Sequence, residues 1–516
     1  MLPELIREKT VCYARGNDPI TANKTGEWRF MTPIKGGRLS PCRQGCLLDG
    51  EIPLWLEAVK KEKWNEAWQI MRLNNPFPAL TGHVCFHPCS ENCNRGQLDQ
   101  EIDIRAIEKA VGEWRINHYE RSAKPREVRG RVAVAGSGPA GLSCAYYLTE
   151  AGYEVTVFER ASVIGGMLAL GIPEYRLPRK VLKNELAILQ EEGIKFVSSC
   201  DVGSAVQLAE LYDHYTEVFV ATGAWISRQA FIDGEESRGV WNALDFLSMV
   251  NSGKPPKVSD PVVVIGGGNA AVDSARTALR MSGINDVTLI YRRSKAEMPA
   301  EPEEVEAAER EGVELIFNAL PREIEKGETG VKAILLDHSK TGREGLIVDR
   351  TRSFSKNCGT VIMALGQEPD YSVFGSLERG VSLFAGGDLV SGPATVPEAI
   401  RAGRMAAMAI KAKIEGLPAA DLITPEQKPV SFEELNMEAG INLQLQQRMS
   451  EPVDEAGRCL GCGTCNSCGI CYLFCPDMAI DRVDGRYQLN LDYCKGCGIC
   501  AKECPAQALV MEGGRL

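Results

Sequence analysis

No stretch of the 516-residue sequence runs to eighteen consecutive apolar residues, so no transmembrane helix and no membrane partner is expected. The opening MLPELIREKT lacks the apolar core of a signal peptide, which points to a cytoplasmic protein. Positive charge is in deficit: 58 Lys and Arg against 69 Asp and Glu leave a net charge of −11. That balance argues against nucleic acid or an anionic membrane surface as a partner. There is no low-complexity tract, and no segment supplies a thiamine diphosphate, molybdenum or glutamine-amidotransferase site. A hydrophobic content of 44% with 25% charged residues is that of a soluble globular protein, and the length suffices for three or four domains.

Cysteine, by contrast, is abundant and uneven. Of 19 in all, ten fall between Cys459 and Cys504 and five between Cys42 and Cys93. A disulfide scaffold is not expected in so long a chain without an export signal, and metal ligation is the better reading. Cys144, Cys200 and Cys358 stand singly in apolar segments and are expected to be core thiols. Two runs of C-x2-C-x2-C-x3-C-P lie near the C-terminal end. The first is Cys465, Cys468, Cys471 and Cys475 before Pro476; the second is Cys494, Cys497, Cys500 and Cys504 before Pro505. In two-cluster ferredoxins the fourth cysteine of each run ligates the other cluster. One 4Fe–4S cluster is therefore expected on Cys465, Cys468, Cys471 and Cys504, the other on Cys494, Cys497, Cys500 and Cys475. A zinc ribbon would show paired C-x2-C elements without the x3-C-P ending. Cys459 and Cys462 fall outside both runs. Their own C-x2-C could be half of a zinc or cluster site, with Cys12 and Cys42 the only distant candidates for the rest. The preferred reading makes them free thiols at the junction between this ferredoxin-like segment and the rest of the chain.

Two glycine-rich strand–turn–helix units lie farther in. RVAVAGSGPAGLSCAYYLTEAGYEVTVFER sets Gly136, Gly138 and Gly141 between a strand and a helix. Glycines there let the backbone turn tightly, approach a pyrophosphate and pack helix on strand, with the helix N-terminus facing the phosphates. Glu159 ends the next strand, where an acid can bond a ribose hydroxyl. The second unit, beginning PVVVIGGGNAAVD, repeats the pattern with Gly266, Gly268 and Ala271, but its next strand ends in Arg292 and Arg293. A guanidinium pair suits a 2′-phosphate, so NADP(H) is expected over NAD(H). Later, LFAGGDLVSGPATVPEAIRAGRMAA places Asp388 after a strand and a Gly-Gly turn, in position to bond flavin ribityl or phosphate groups. Thr395 and Glu398 fit a capping box, and the helix opening at Val396 could aim its positive end at the flavin N1–C2 carbonyl edge. Glu303 and Glu304 read as exposed helix starters.

The set GSGPAGL, VIGGMLALGIPEYRLPR, ATGA, VVVIGGGNAAVD, YRRSKAEMPA, MALGQ and AGGD, spread over roughly residues 40–410, resembles the glutamate synthase small-subunit family. These are two-dinucleotide flavoproteins with an N-terminal iron–sulfur domain, and the N-terminal half of dihydropyrimidine dehydrogenase is similar. The resemblance implies FAD on Gly136, Gly138, Gly141 and Glu159, with Gly165 and Gly166 near the flavin and Asp388 on its ribityl chain. It implies NAD(P)H on Gly266, Gly268, Arg292 and Arg293. In the N-terminal region, CRQGC and VCFHPCSENC offer one tetrad, Cys46, Cys85, Cys89 and Cys93, for a 4Fe–4S cluster. The family's second N-terminal cluster takes a C-x-x-C pair just before the position of Cys42, where this chain has KGGRLSP. That cluster is expected to be absent and Cys42 unligated, the alternative being a cluster with a ligand other than cysteine. His83 and His87 are expected to make local hydrogen bonds and not to bind metal.

The expected fold is α/β, with two Rossmann-like dinucleotide-binding domains between a helical iron–sulfur domain and an α+β bacterial ferredoxin domain. The boundaries read 1–125 for the helical domain, 130–255 plus 356–410 for FAD, 256–355 for NAD(P), 411–454 for a linker and 455–516 for the ferredoxin. The cofactors would be FAD, NADP(H) or NAD(H), and three 4Fe–4S clusters. Hydride passes between bound cofactors, so no acid–base residue is needed for the central step. CKGCGICAKECPAQAL resembles the two-cluster subunit of 2-oxoacid:ferredoxin oxidoreductases. Fused to a flavoprotein, it suggests the NAD(P)+-reducing subunit of a 2-oxoacid complex of the 2-oxoglutarate or aryl-glyoxylate type. Its partners would be larger catalytic subunits or soluble ferredoxin. The alternatives are a free-standing, bifurcating or simple NAD(P)H:ferredoxin oxidoreductase, a glutamate synthase small subunit, and a scaffold with structural clusters.

Overall fold

The computed structural model describes residues 24–120, 128–204, 206–328, 330–343, 345–375, 383–418, 427–437 and 445–513; Cys12 and most of the basic segment 121–131 lie outside them. The chain forms two compact units. One is Tyr119–Leu422; the other joins Met1–His118 to Ile423–Leu516.

The Tyr119–Leu422 unit holds two five-stranded parallel sheets. The first runs Phe384–Ala385, Glu217–Val220, Arg131–Ala135, Glu154–Phe158 and Lys195–Val197 across its width. Helices cover both faces of such a sheet, so its central strands read as near-continuous apolar runs such as VAVA. The second sheet runs Glu314–Phe317, Val287–Tyr291, Val262–Ile265, Thr360–Met363 and Val240–Asn242. A three-stranded antiparallel sheet, Ala319–Lys326, Val331–Gly342 and Gly345–Asn357, is inserted between its strands Glu314–Phe317 and Thr360–Met363. The chain passes between the two domains at the antiparallel pair Ile226–Ser227 and Gln367–Glu368.

Two strands therefore fall on the other side of the expected 255 and 356 boundaries. Thr360–Met363 pairs residue for residue with Val262–Ile265, and Val240–Asn242 pairs with it in turn. An apolar strand shows that it is buried, not in which sheet. Cys144 and Cys358 are core thiols as expected, whereas Cys200 is only half-buried beyond the short edge strand Lys195–Val197.

In the other unit, helices Ile52–Lys60, Trp64–Met71 and Ile104–Asn117 close around Trp55, Leu56, Trp68, Ile107 and Val111. Helix Pro78–Val84 lies so close to Ile104–Asn117 that a Cβ on Gly112 would come 2.1 Å from the Ala79 nitrogen. The two ends of the chain, expected as separate domains, share this unit. Strand Met31–Lys35 pairs antiparallel with Leu509–Gly513. Helix Pro452–Gly457 puts Ala456 into the N-terminal helical core. The expected linker also packs here: Val430 and Leu435 cluster with Leu460 and Cys462, and the Val430 N–H donates to the Leu39 carbonyl at 2.9 Å.

Candidate nucleotide and iron–sulfur sites

The first glycine-rich turn leaves strand Arg131–Ala135 and enters helix Pro139–Glu150. Gly136 has φ +105, and a Cβ there would lie 2.3 Å from the Ala221 carbonyl oxygen. At Gly141 a Cβ would meet the Gly136 oxygen at 1.9 Å, so helix and turn touch through hydrogen alone. Gly138 differs: nothing lies within 4 Å of its would-be Cβ. Open space thus stands where the unpaired N–H groups of the helix start point, which is the cradle a pyrophosphate needs. Gly166 packs its turn onto this loop, a Cβ there falling 2.8 Å from the Gly138 Cα. The Gly165 N–H donates to Ser137 Oγ at 2.9 Å, and Ser137 Oγ–H donates to Glu159 at 2.6 Å. Glu159 is buried and also accepts from the Ala161 N–H at 2.7 Å.

Asp388 comes to the same place from the far end of the domain. It opens the short helix Asp388–Ser391 beyond Gly387, whose Cβ would lie 2.8 Å from Ala140. Burial raises the Asp388 carboxyl to about 6, opposed by the Ala394 N–H that donates to it at 3.2 Å. The long helix Val396–Glu415 follows, with the capping box formed: Glu398 N–H donates to Thr395 Oγ1 at 3.4 Å and Thr395 N–H to Glu398 at 2.8 Å. It packs on Pro139–Glu150 at Gly403, where a Cβ would sit 2.0 Å from the Ala140 oxygen.

The second turn repeats the geometry. Gly266 has φ +150, Gly268 faces open space, and Ala271 is fully buried on helix Asn269–Leu279. Arg292 is exposed just past strand Val287–Tyr291, and Arg293 is half-buried with its Nε lacking a partner among the described residues. Glu303 is an exposed helix starter, but Glu304 is not. It pairs with Arg276 and, at 3.3 Å, with Arg176.

That ion pair belongs to a clamp not anticipated from sequence. The IPEYRLPR segment, which follows the Gly165–Gly166 turn and the short helix Met167–Leu170, docks on helix Asn269–Leu279. Arg176 reaches Asp273 at 2.7 Å, and the guanidinium groups of Arg276 and Arg280 cover the Tyr175 ring at 4.6 and 4.1 Å. Burial pushes Asp273 up to about 6 against the pull of Arg176. A lone acid on the small-residue face of NAAVDSARTAL was the available signal.

The cysteines sort into four groups. Cys468 and Cys471 feel the charges of Cys465 and Cys504, while Cys500 feels those of Cys494, Cys475 and Cys497. The second set lines one cavity, roofed by Pro33 from the paired strand. In the N-terminal region Cys89 feels Cys46 and Cys85, and the buried Glu108 carboxylate acts on all three. Burial pushes Glu108 up to about 7 in spite of hydrogen bonds from Thr81 and Asn75. Cys93 packs against the same core. It lies with Cys42, Cys459 and Cys462, each of which feels its charge. Among the described residues no group of three or more His, Cys, Asp or Glu side chains converges as a single metal ion would require. A four-iron cubane binds each thiolate to a different iron, so its ligands stand farther apart. His83 and His87 each place Nδ1 against a backbone carbonyl, of Ala79 and Cys85.

Residues 130–403 match the family model for pyridine nucleotide-disulphide oxidoreductases. Residues 37–120 match dihydropyrimidine dehydrogenase domain II with its 4Fe-4S cluster, and residues 487–510 the 4Fe-4S binding domain. The chain is similar to the NADPH-Fe(3+) oxidoreductase subunit beta of Geobacter sulfurreducens, 36% identical over 347 residues, covering 64% of this chain and 52% of that one. It is similar to the NADP(+)-dependent formate dehydrogenase subunit beta of Moorella thermoacetica, 36% identical over 420 residues, covering 72% and 59%. With the glutamate synthase (NADPH) small chain of Azospirillum brasilense it shares 32% identity over 413 residues, covering 72% and 86%. The chain thus spans about half the length of the first of these relatives.

Proposed function

Because the chain belongs to the pyridine nucleotide-disulphide oxidoreductase family, we propose that it moves electrons between NADP(H) and a partner protein, through FAD and 4Fe–4S clusters, as one subunit of a larger complex. The observation that carries this reading is the pair of open turns at Gly138 and Gly268. Each faces the start of a helix, Pro139–Glu150 or Asn269–Leu279, and the Tyr175–Arg176 segment ties the two domains together.

Bound FAD would supply the exchange between a two-electron hydride and single electrons. The chain's own residues bind and orient. Gly136, Gly138 and Gly141 admit the FAD pyrophosphate to helix N–H groups, and Glu159, held by Ser137, takes the ribose side of that turn. Gly165 and Gly166 wall the flavin, Asp388 bonds its ribityl chain, and the capped helix start at Thr395 and Val396 directs positive charge at it. Gly266, Gly268 and Ala271 receive the second nucleotide, and Arg292 and Arg293 meet its 2′-phosphate.

For the partner, the C-terminal CKGCGICAKECPAQAL supports a thiamine-diphosphate enzyme that oxidises a 2-oxoacid, which would make this the NADP+-reducing subunit. The formate dehydrogenase relative supports a second reading, with a formate-oxidising partner. Purification from the native host decides: copurifying subunits should drive NADP+ reduction with a 2-oxoacid and coenzyme A. Reduction with formate instead would replace the first reading by the second. A purified chain that holds FAD but is not reduced by NADPH would overturn both.

A further inference from the structure

Cys459 and Cys462 are not at a loose junction. The residue before them, Arg458, is 2% exposed and donates to Glu455 at 2.7 Å and Asp99 at 3.0 Å. Its carbonyl accepts from Arg95 at 2.8 Å. This buried network seats the turn Cys459–Cys462 on the N-terminal helical core, where Cys42 and Cys459 pack in one cluster with Cys93.

Hydrogen-bonding groups lie against all four sulfurs, and those at Cys459, Cys462 and Cys93 are donors. The Gly461 N–H points at Cys459 Sγ at 3.4 Å, and the Asn94 side-chain amide at Cys462 Sγ at 3.5 Å. The Cys42 thiol donates to Ser40 Oγ at 3.2 Å, and the N–H groups of Ile102, Arg95 and Gly96 face Cys93. The core thiols differ: burial alone acts on Cys144, and burial with the Lys356 charge on Cys358. Donors aimed at sulfur tune iron–sulfur clusters.

We propose that Cys42, Cys93, Cys459 and Cys462 ligate a further 4Fe–4S cluster, half of its ligands coming from each end of the chain. Each thiol displaces one terminal thiolate of the cluster donor from an iron of a preassembled core, and its proton goes to that leaving thiolate. A core in the 2+ state then gives a site of charge −2, and one electron takes it to −3. Cys462 and Cys465 are three residues apart, at most about 10 Å of extended chain. The new cluster therefore adjoins the ferredoxin cluster on Cys465 and relays single electrons from it into the N-terminal domain. Cys46, Cys85 and Cys89, all close to Glu108, are left for a separate cluster.

The site holds whichever nucleotide or partner the chain uses, and its test does not read activity. Anaerobically purified full-length protein should contain about sixteen irons per FAD, four cubanes of four. The conservative Cys42→Ser and the double Cys459→Ser/Cys462→Ser should each lose a quarter of the iron. Both should delete the same paramagnetic signal on reduction, while Cys46→Ser deletes another. FAD content and bleaching by NADPH report that the Tyr119–Leu422 unit is folded, and a failure there would count against the proposed function instead. Full iron in Cys42→Ser, or one zinc in place of four irons, would overturn the inference.

Discussion

Glycines at the two turns do different work, and single methyl groups separate it. Alanine at Gly141 must push against the Gly136 carbonyl, an overpacking expected to cost about 1–3 kcal/mol. Gly138→Ala meets no protein atom and should leave the melting temperature of apoprotein unchanged, yet its methyl stands where the pyrophosphate approaches. The expected pattern is a lowered melting temperature with Gly141→Ala and a lowered FAD:protein ratio at normal stability with Gly138→Ala. Equal stability losses would deny the cradle. At the second turn, Arg293→Glu removes a charge-assisted bond worth about 1.5–3 kcal/mol. NADPH efficiency should fall roughly tenfold to a hundredfold, with NADH changing far less. Equal losses for the two cofactors would remove the 2′-phosphate role.

At the scale of elements, the clamp decides how the domains of the Tyr119–Leu422 unit hold together. Arg176→Ala leaves Asp273 buried beside Glu304 without its closest cation. Breaking a buried pair on one side costs about 3–5 kcal/mol, read as a lower denaturant midpoint for flavin release. Asp273→Asn should cost clearly less, since it leaves no stranded charge; a larger loss than in Arg176→Ala would contradict the clamp. Helix Pro302–Glu311 is fastened to Asn269–Leu279 by Glu311, held at about 2 by Arg280 and Arg276 against an ordinary 4.5. A depressed carboxyl stabilises fully above pH 4.5, and the contribution is lost as the pH falls towards 2. Glu311→Gln should therefore be less stable than wild type above pH 4.5, with the gap closing on acidification. A gap that widens below pH 4.5 would reverse the sign.

For the whole molecule, the buried network around Arg458 joins the two ends of the chain in one iron–sulfur unit. Arg458→Met leaves Glu455 without its guanidinium and should advance thermal loss of cluster absorbance by several degrees, with flavin release from the other unit as internal reference. Unchanged cluster loss would deny that the network holds the ends together. Much of the molecule was legible in residue order. Gly136–Gly141 and Gly266–Ala271 announce their strand–turn–helix units because a close-approaching backbone tolerates only small residues at those spacings. The doubled C-x2-C-x2-C-x3-C-P run announces a ferredoxin because ligand spacing is local. Other features were not legible: Asp273 looks like any polar helix residue until Arg176 arrives. Thr360–Met363 looks like any apolar strand until it pairs with Val262–Ile265. The sequence by itself determined the two strand–turn–helix units and the ferredoxin-type cysteine spacing, since both are written in residue type and short spacing. Only the tertiary structure decided which cysteines stand together, bringing Cys459 and Cys462 to Cys93 and Cys42. A pair of thiols two residues apart records its own turn, but the path that brings its complement from the other end is set by packing.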